Sequence, residues 1–172
     1  MMKKRPFSFP TDKTIRVIAD TDCNCECDDQ FCIAHMLMTP RFDVKGLIST
    51  HYNQEKSEEK SYQEIQKITK MMSLTGEIPI LHGAPHALLD TRTPIDSEGA
   101  RFIIQEAMMD DERPLFLCGQ GAVTNIVSAY LMEPRIAEKV VVIWIGGREY
   151  PRGGFEFNQN NDLNAARVLF QS

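Results

Sequence analysis

The chain has 172 residues, of which 42% are hydrophobic, and a formal net charge of −5. This length suits one domain with a hydrophobic core and is too short to predict two. The acidic balance argues against nucleic acid or an anionic membrane as a partner, and the longest apolar stretch, 140–145, is far shorter than the roughly 20 residues of a membrane span. We therefore predict a cytoplasmic protein with a polar N-terminal extension at 1–13 and a single domain at 14–172.

Strand-like and helix-like segments alternate along the chain. In order, we predict a strand at 14–19, a helix at 29–38, a strand at 44–49, a helix at 57–73, a strand at 78–81, a helix at 97–109 with Ser97 as its N-cap, a strand at 114–118, a helix at 123–132, a strand at 140–145 and a helix at 164–170. Continuous apolar strands separated by helices indicate an α/β fold, with an open, mainly parallel, doubly wound (Rossmann-like) sheet flanked by helices.

Four aspartates follow the first predicted strand within ten residues: Asp20, Asp22, Asp28 and Asp29. Charges crowded in this way at the end of a buried strand need a cation or a raised pKa to coexist. In a parallel sheet the carboxyl ends of the strands share one edge, so the polar and Gly-rich segments 50–53, 119–121 and 146–147 converge there too. The sequence therefore predicts a ligand site at this edge.

Three of the five cysteines, Cys23, Cys25 and Cys27, alternate inside the acidic loop. Zinc sites favour cysteines spaced by two to four residues, so a spacing of one residue suits them poorly. An odd and small number of cysteines also does not indicate a disulfide framework. We predict reduced cysteines with no metal-binding role.

Five segments, in this order, resemble motifs of the inosine/uridine-preferring nucleoside hydrolase family, whose members cleave the N-glycosidic bond of ribonucleosides. The segments are Asp20-Thr21-Asp22 with Asp28-Asp29, the stretch 46–53 that ends in Asn53, the turn 121–126, the Ile-Gly-Gly at 145–147, and the stretch 155–166 with Glu156-Phe157-Asn158. Each motif alone is only weakly specific for the family. Five motifs that occur in the family's order and with its spacing are together a specific signal. The resemblance covers nearly the whole chain.

This resemblance implies hydrolysis of a ribonucleoside, or of a related N-ribosyl compound, to ribose and base by a calcium-bound water. Calcium would be bound by Asp22, Asp29 and the main-chain carbonyl of Gln120, and Asp22 would also accept the proton of the water. The ribose hydroxyls would be held by four side chains: Asp28, Asn53, Glu156 and Asn158. The partner implied is a small-molecule nucleoside of purine or pyrimidine salvage, and the assembly implied is a homo-oligomer.

The chain departs from the family pattern in two places. Its acidic loop has two more residues than the family's and lacks the family's Pro-Gly, so that Glu26 with Cys27 forms a second register for the metal motif. We favour Asp28-Asp29, because the helical pattern begins directly after them. The C-terminal half of the family, with a His-Asp pair that includes a further metal ligand, has no counterpart here. We therefore predict a domain truncated at its C-terminus.

Two other functions stay open. A ribose- or nucleoside-binding module, or an assembly subunit, would keep the fold without catalysis. A haloacid-dehalogenase-like phosphotransferase also places Asp-x-Asp after its first strand, with the first Asp as nucleophile and magnesium as its ion. That family normally has Thr or Val two residues after the second Asp, where this chain has Asn24, and it does not account for Glu156-Phe157-Asn158.

Overall fold

The computed structural model describes residues 13–172, and the predicted extension at 1–13 lies outside this range except for its last residue. The described elements are β1 (Ile15–Thr21), α1 (Cys27–Met38), β2 (Phe42–Ser49), α2 (Ser57–Met71), β3 (Ile80–Leu81), α3 (Glu98–Ala107), β4 (Leu115–Gly119), α4 (Thr124–Met132), a 3₁₀ helix (Pro134–Glu138), β5 (Val140–Trp144), α5 (Phe157–Asn161) and α6 (Leu163–Leu169). Strands and helices alternate, as the sequence pattern predicted.

The strands described within residues 13–172 form one parallel sheet in the order β3-β2-β1-β4-β5. This confirms the predicted open, parallel α/β sheet. Strand β1 lies in the middle, where Asp20 pairs with Ile48 of β2 and with Gly119 of β4. The strand order reverses between β1 and β4, and ligands of doubly wound folds bind at such a reversal, outside the carboxyl ends of the strands.

Strand β1 is buried on both faces, which explains its apolar run at 17–19. Val17 belongs to the cluster that packs under α1 and α2, and Ile18 belongs to the cluster that packs under α3 and α4. Both side chains are at most 2% exposed. A strand covered on both sides cannot alternate polar and apolar residues, so the run itself indicates a central position in the sheet.

The ten predicted elements are all present, with ends that differ from the predicted ones by no more than two residues. Ser97 is the N-cap of α3, and its side chain accepts a hydrogen bond from the Ala100 N–H over 3.0 Å. Two short elements were not predicted, the 3₁₀ helix Pro134–Glu138 and α5. Helix α5 has five residues and is capped by Glu156, which is not among the preferred N-cap residues, so no start signal marked it.

Strand β5 lies at the edge of the described sheet with one apolar face open. Val141, Ile143 and Ile145, which alternate along β5 and just beyond it, are 41%, 54% and 62% exposed. Edge strands that are apolar and uncovered are surfaces on which other polypeptide packs. None of the helices described between residues 13 and 172 has the length and apolar character of a membrane span.

Candidate active site

The carboxylates of Asp22 and Asp29 meet at the carboxyl end of β1. Asp22 directly follows the strand and Asp29 lies in the first turn of α1, and both are buried. Thr21 Oγ1 donates a hydrogen bond to Asp29 Oδ2 over 2.7 Å, and the Cys25 N–H donates to the Asp22 carbonyl over 2.8 Å. The chain therefore turns back on itself between the two acids. Asp29 lines the same pocket as Asp22, whereas Cys27 is not part of that lining.

Burial and mutual repulsion act on this pair of acids. Burial, followed by the charge of Asp29, raises the pKa of Asp22, and burial raises the pKa of Asp29 despite the hydrogen bond from Thr21. Asp22 Oδ2 is buried and has no hydrogen-bond partner among residues 13–172. Two crowded carboxylates with an unpartnered oxygen form the type of donor set that hard cations such as calcium bind.

Asp20 belongs to the framework beneath the pocket. Its Oδ1 accepts a hydrogen bond from Asn125 Nδ2 over 2.9 Å, and its Oδ2 has no partner in the described part of the chain. Burial raises the pKa of Asp20 to about 8 in spite of that hydrogen bond. Asn125 also donates to the Ser49 carbonyl and accepts from the Ala84 N–H and from Ser97 Oγ. One amide thus ties together the ends of β1, β2 and α3.

Gln120 follows β4, and its carbonyl is the predicted main-chain ligand of the metal. In the structure this carbonyl accepts a hydrogen bond from Asn158 Nδ2 over 2.7 Å. The side-chain amide donates to Cys32 Sγ, while Gln120 Oε1 is buried without a partner among the described residues. Because a carbonyl oxygen carries two lone pairs, the contact with Asn158 leaves one for a further partner.

Glu156 and Asn158 occupy the start of α5. The Glu156 carboxylate accepts hydrogen bonds from the N–H groups of Gly147, Asn158 and Gln159, over 2.9, 3.0 and 2.8 Å. Asn158 Nδ2 donates to the Ile145 carbonyl as well as to Gln120. The two side chains that we expected to bind ribose therefore attach the segment after β5 to the rest of the site.

The remaining two predicted ribose ligands, Asp28 and Asn53, are both exposed. Asp28 lines the pocket and makes no hydrogen bond through its side chain to the residues described. Asn53 has a φ of 55°, a left-handed conformation that Asn tolerates, and its Nδ2 donates to the Asn161 carbonyl over 2.8 Å. Asn53 does not line the pocket, so the structure places it beside the site rather than in it.

The other predicted residues share one pocket of ≈ 180 Å³ at this edge of the sheet. Its lining consists of Asp22, Cys25, Glu26, Asp28, Asp29, Gln120, Ile145, Glu156, Phe157 and Asn158. Half of these residues are acidic, and among the residues that the structure describes no Lys, Arg or His lines the pocket. Sequence reasoning had not assigned Cys25, Glu26, Ile145 or Phe157 to the pocket. Glu26 carried a signal, since it belongs to the second register of the metal motif, and Ile145 and Phe157 lie within segments that resemble family motifs.

The three cysteines of the acidic loop have separate environments. Cys23 is buried and its Sγ donates to the Ser61 carbonyl over 3.5 Å, Cys25 is half-buried at the pocket, and Cys27 is exposed. Burial, followed by the charge of Asp22, raises the pKa of Cys25 to about 11. All five cysteines of the chain are free. At neutral pH the thiol of Cys25 is therefore held in its protonated form.

Two histidines near this edge of the sheet already have structural partners. Buried His51 Nε2 lies 2.9 Å from Thr124 Oγ1, which donates to Asp162, and burial lowers the pKa of His51 to about 4. His82 clusters with Glu58 and Glu59, their potential ligand atoms lying within 4.8 Å of one another. Its Nδ1 is 3.0 Å from Glu58 Oε1, which also accepts from the Gly83 N–H. Hydrogen bonds within the protein therefore account for this cluster.

Fold and site together define a doubly wound α/β protein with an acidic pocket of the cation-binding type at the carboxyl edge of its sheet. Residues 17–172 match the family model described as inosine-uridine preferring nucleoside hydrolase, and the chain belongs to that family. The resemblance noted in the sequence is thereby confirmed.

Individual relatives share the fold but differ in the nucleoside that they are named for. The chain is 24% identical to the pyrimidine-specific ribonucleoside hydrolase RihA of Escherichia coli O1:K1 / APEC, over 88% of this chain and 56% of the relative. The solved purine-preferring ribonucleoside hydrolase from Gardnerella vaginalis has a TM-score of 0.75 at 21% identity, over 90% of this chain and 57% of that one. A solved inosine-guanosine nucleoside hydrolase has a TM-score of 0.72 at 21% identity, and the match covers 92% of this chain and 56% of that one. The chain thus spans just over half the length of its relatives.

Proposed function

We propose that this chain takes part in the hydrolysis of the N-glycosidic bond of ribonucleosides, or of related N-ribosyl compounds, to ribose and base. The observation that carries the proposal is the unpartnered Asp22 Oδ2 beside Asp29, at the strand end where the fold binds ligands. Membership of the nucleoside hydrolase family supports the reaction type. The relatives are named for pyrimidine, purine and inosine-guanosine nucleosides, so the proposal does not specify the base.

The cation that suits this donor set is calcium, which accepts several oxygen ligands in flexible geometry. Asp22, Asp29 and the main-chain carbonyl of Gln120 would hold it, and the buried, unpartnered Oδ2 of Asp22 favours this assignment. A bound calcium ion would keep both acids ionised and lower the pKa of a water molecule. Asn158 shares the Gln120 carbonyl and would position it.

Asp22 is the residue that we assign as general base. Its Oδ2 has no competing donor among the described residues, and its side chain lines the pocket. Because a bound calcium ion would lower the pKa of its water ligand, a neighbouring carboxylate such as Asp22 could accept the proton near neutral pH. Asp29 is held by Thr21 Oγ1 and would keep its place while Asp22 takes the proton.

The carboxylate and amide side chains around the pocket would bind the ribose hydroxyls. Asp28 is available at once, because it makes no hydrogen bond within the described chain, whereas Glu156 and Asn158 would exchange contacts that they now make with the backbone. Vicinal hydroxyls both donate and accept, which suits carboxylates and amides. Asn53, beside the pocket, would complete the set.

The test is an assay of ribose release from uridine and inosine, with calcium and with a chelator. We expect release that depends on calcium and falls by a factor of about 10² to 10⁴ in Asp22→Asn, the range that a general base contributes. Asp110→Asn is the matched control, since Asp110 is an exposed acid outside the pocket. Full activity in Asp22→Asn would contradict the assignment.

The same assay separates the alternative functions. Nucleoside binding without ribose release would favour a binding module. Release of phosphate from a phosphomonoester, with magnesium as the required ion, would favour the phosphotransferase. Because the chain covers 56% of the length of its curated relatives, the assay is also run on the full-length protein of any longer reading frame.

A further inference from the structure

The acidic loop between β1 and α1 is held in place by a turn of its own and by contacts with two other parts of the chain. The Cys25 N–H donates to the Asp22 carbonyl over 2.8 Å, which closes a tight turn. Tyr52 Oη, beyond the end of β2, donates to Asn24 Oδ1 over 3.1 Å. Cys23 is fully buried, and its Sγ donates to the Ser61 carbonyl of α2. The longer loop is therefore a fixed wall of the pocket.

Glu26 ends this wall and lines the pocket. It occupies the N-cap position of α1, but its side chain makes no capping hydrogen bond. Within residues 13–172 the Glu26 carboxylate has neither a hydrogen bond nor an ion pair. The Glu156 carboxylate, by contrast, accepts hydrogen bonds from three backbone N–H groups. Nothing in the described structure neutralises Glu26, so its charge acts on whatever enters.

The charge of the pocket is one-sided even when a divalent cation is counted. The two positive charges of such a cation offset the negative charges of Asp22 and Asp29. The negative charges of Asp28, Glu26 and Glu156 remain, and no basic side chain of the described residues lines the pocket. The guanidinium of Arg148, on the segment after β5, donates instead to the Phe155 carbonyl and lies outside the lining. Clefts lined by one sign of charge concentrate ligands of the opposite sign and repel those of the same sign.

We propose that Glu26 is a charge-selecting residue of this pocket, which disfavours ribosides that carry a 5′-phosphate and favours neutral or cationic ribosides. The proposal rests on the proposed function, since it assumes that a riboside occupies the pocket. Glu26 is exposed, but two like charges about 4 Å apart repel even in water and more strongly near a protein surface, so removal of one of them changes discrimination by about tenfold. The inserted loop thereby gives the chain a selectivity filter of its own.

The experiment compares Glu26→Gln with the wild-type chain on three substrates of different charge: uridine, uridine 5′-monophosphate and the cationic nicotinamide riboside. The release of base is followed by chromatography. We expect Glu26→Gln to raise the kcat/KM ratio of the monophosphate to uridine by about tenfold and to lower the ratio of nicotinamide riboside to uridine by a similar factor. The activity on uridine itself stays within about twofold, since Glu26 makes no contact that supports the fold.

Glu77→Gln is the matched control, because Glu77 is an exposed acid on the loop before β3 and outside the pocket. The effect of Glu26→Gln is expected to be large at about 0.01 M salt, where the screening length is about 30 Å, and to shrink at about 1 M, where it is about 3 Å. Ratios in Glu26→Gln that stay within twofold of the wild type, with turnover intact, overturn the charge-selecting role and leave the proposed function standing.

If no substrate releases base, the proposed hydrolysis fails, and the dissociation constants of the same three compounds decide the inference. Calorimetric titration of both chains in the presence of calcium is then expected to show the same shifts in the binding ratios. Equal ratios in the two chains overturn the role of Glu26. Binding of none of the three compounds overturns the inference together with the function on which it rests.

Discussion

Asn125 Nδ2 donates a hydrogen bond to Asp20 Oδ1 over 2.9 Å and so joins two buried side chains that are 105 residues apart in the chain. Asp20 begins the Asp20-Thr21-Asp22 segment that leads to the pocket, and Asn125 lies in the first turn of helix α4. The same amide reaches Ser49, Ala84 and Ser97. The floor of the pocket therefore depends on one side chain that lies outside the pocket lining.

Replacing Asn125 with Ala is expected to lower the free energy of unfolding by about 3 kcal/mol. The substitution leaves the Asp20 carboxyl, the Ala84 N–H and Ser97 Oγ without their partner, and an unsatisfied buried polar group costs about 1–3 kcal/mol. Urea unfolding followed by circular dichroism measures the change. Gln105→Ala, on the exposed side of α3, is the control and is expected to cost less than about 0.5 kcal/mol. Equal stabilities of the two variants would refute the framework role of Asn125.

Calcium is expected to raise the melting temperature of the chain through Asp22 and Asp29. A ligand at 100 times its dissociation constant adds about 2.7 kcal/mol, and each kcal/mol is worth about 2–4 °C for a domain of this size. Differential scanning fluorimetry in calcium and in chelator reports the shift. Asp29→Asn is expected to abolish it, while Asp110→Asn retains it. A shift of the same size in Asp29→Asn would place the cation elsewhere.

Substitution of Glu156 is expected to lower the stability of the fold, whereas substitution of Asp28 is expected to weaken ligand binding. Glu156→Ala removes the N-cap of α5 and is expected to lower the unfolding free energy by about 1–2 kcal/mol. Asp28→Asn removes no contact within the described chain and is expected to leave stability within about 0.5 kcal/mol, yet to weaken uridine binding by about tenfold. Urea unfolding and calorimetric titration on both variants provide the measurements. Normal uridine affinity in Asp28→Asn would remove Asp28 from the ribose site.

His51 is expected to make the protein less stable as the pH falls. Its folded-state pKa of about 4 lies below the ordinary value of 6.5, so the unfolded chain binds the proton first, and stability is lost as the pH falls from about 6.5 to about 4. Between pH 7 and pH 5 this amounts to about 2 kcal/mol. The acids of the site also titrate, so the measured quantity is the difference in urea stability between wild type and His51→Gln at each pH. A difference that does not change with pH would contradict the prediction.

The fold was readable from the sequence because its signals are local. The apolar run of β1 and the caps and periodicity of the helices predicted every element longer than five residues. The proximity of Asp22 and Asp29 was also predictable, because one follows a buried strand and the other lies at the start of the next helix. The hydrogen bond that Thr21 Oγ1 donates to Asp29 supports the Asp28-Asp29 register, which stays a prediction.

The rest of the site depends on contacts between distant segments. Asn158 reaches the Gln120 carbonyl across 38 positions of the chain, and Tyr52 holds Asn24 across 28 positions. Neither contact has a spacing or a composition that a sequence pattern could reveal. Helix α5 is too short for a periodic signal, so the capping role of Glu156 could not be predicted either.

The capping contacts of Glu156 would couple ligand affinity to the conformational equilibrium of α5. A ligand that takes the Glu156 carboxylate would replace the backbone contacts that now cap a helix of five residues, and so short a helix has little stability of its own. Only a fraction of the molecules is then able to bind the ligand. The apparent dissociation constant equals the intrinsic constant divided by that fraction. Substitutions that loosen α5 without touching the ligand would therefore tighten binding, so affinity and local order would change in opposite directions.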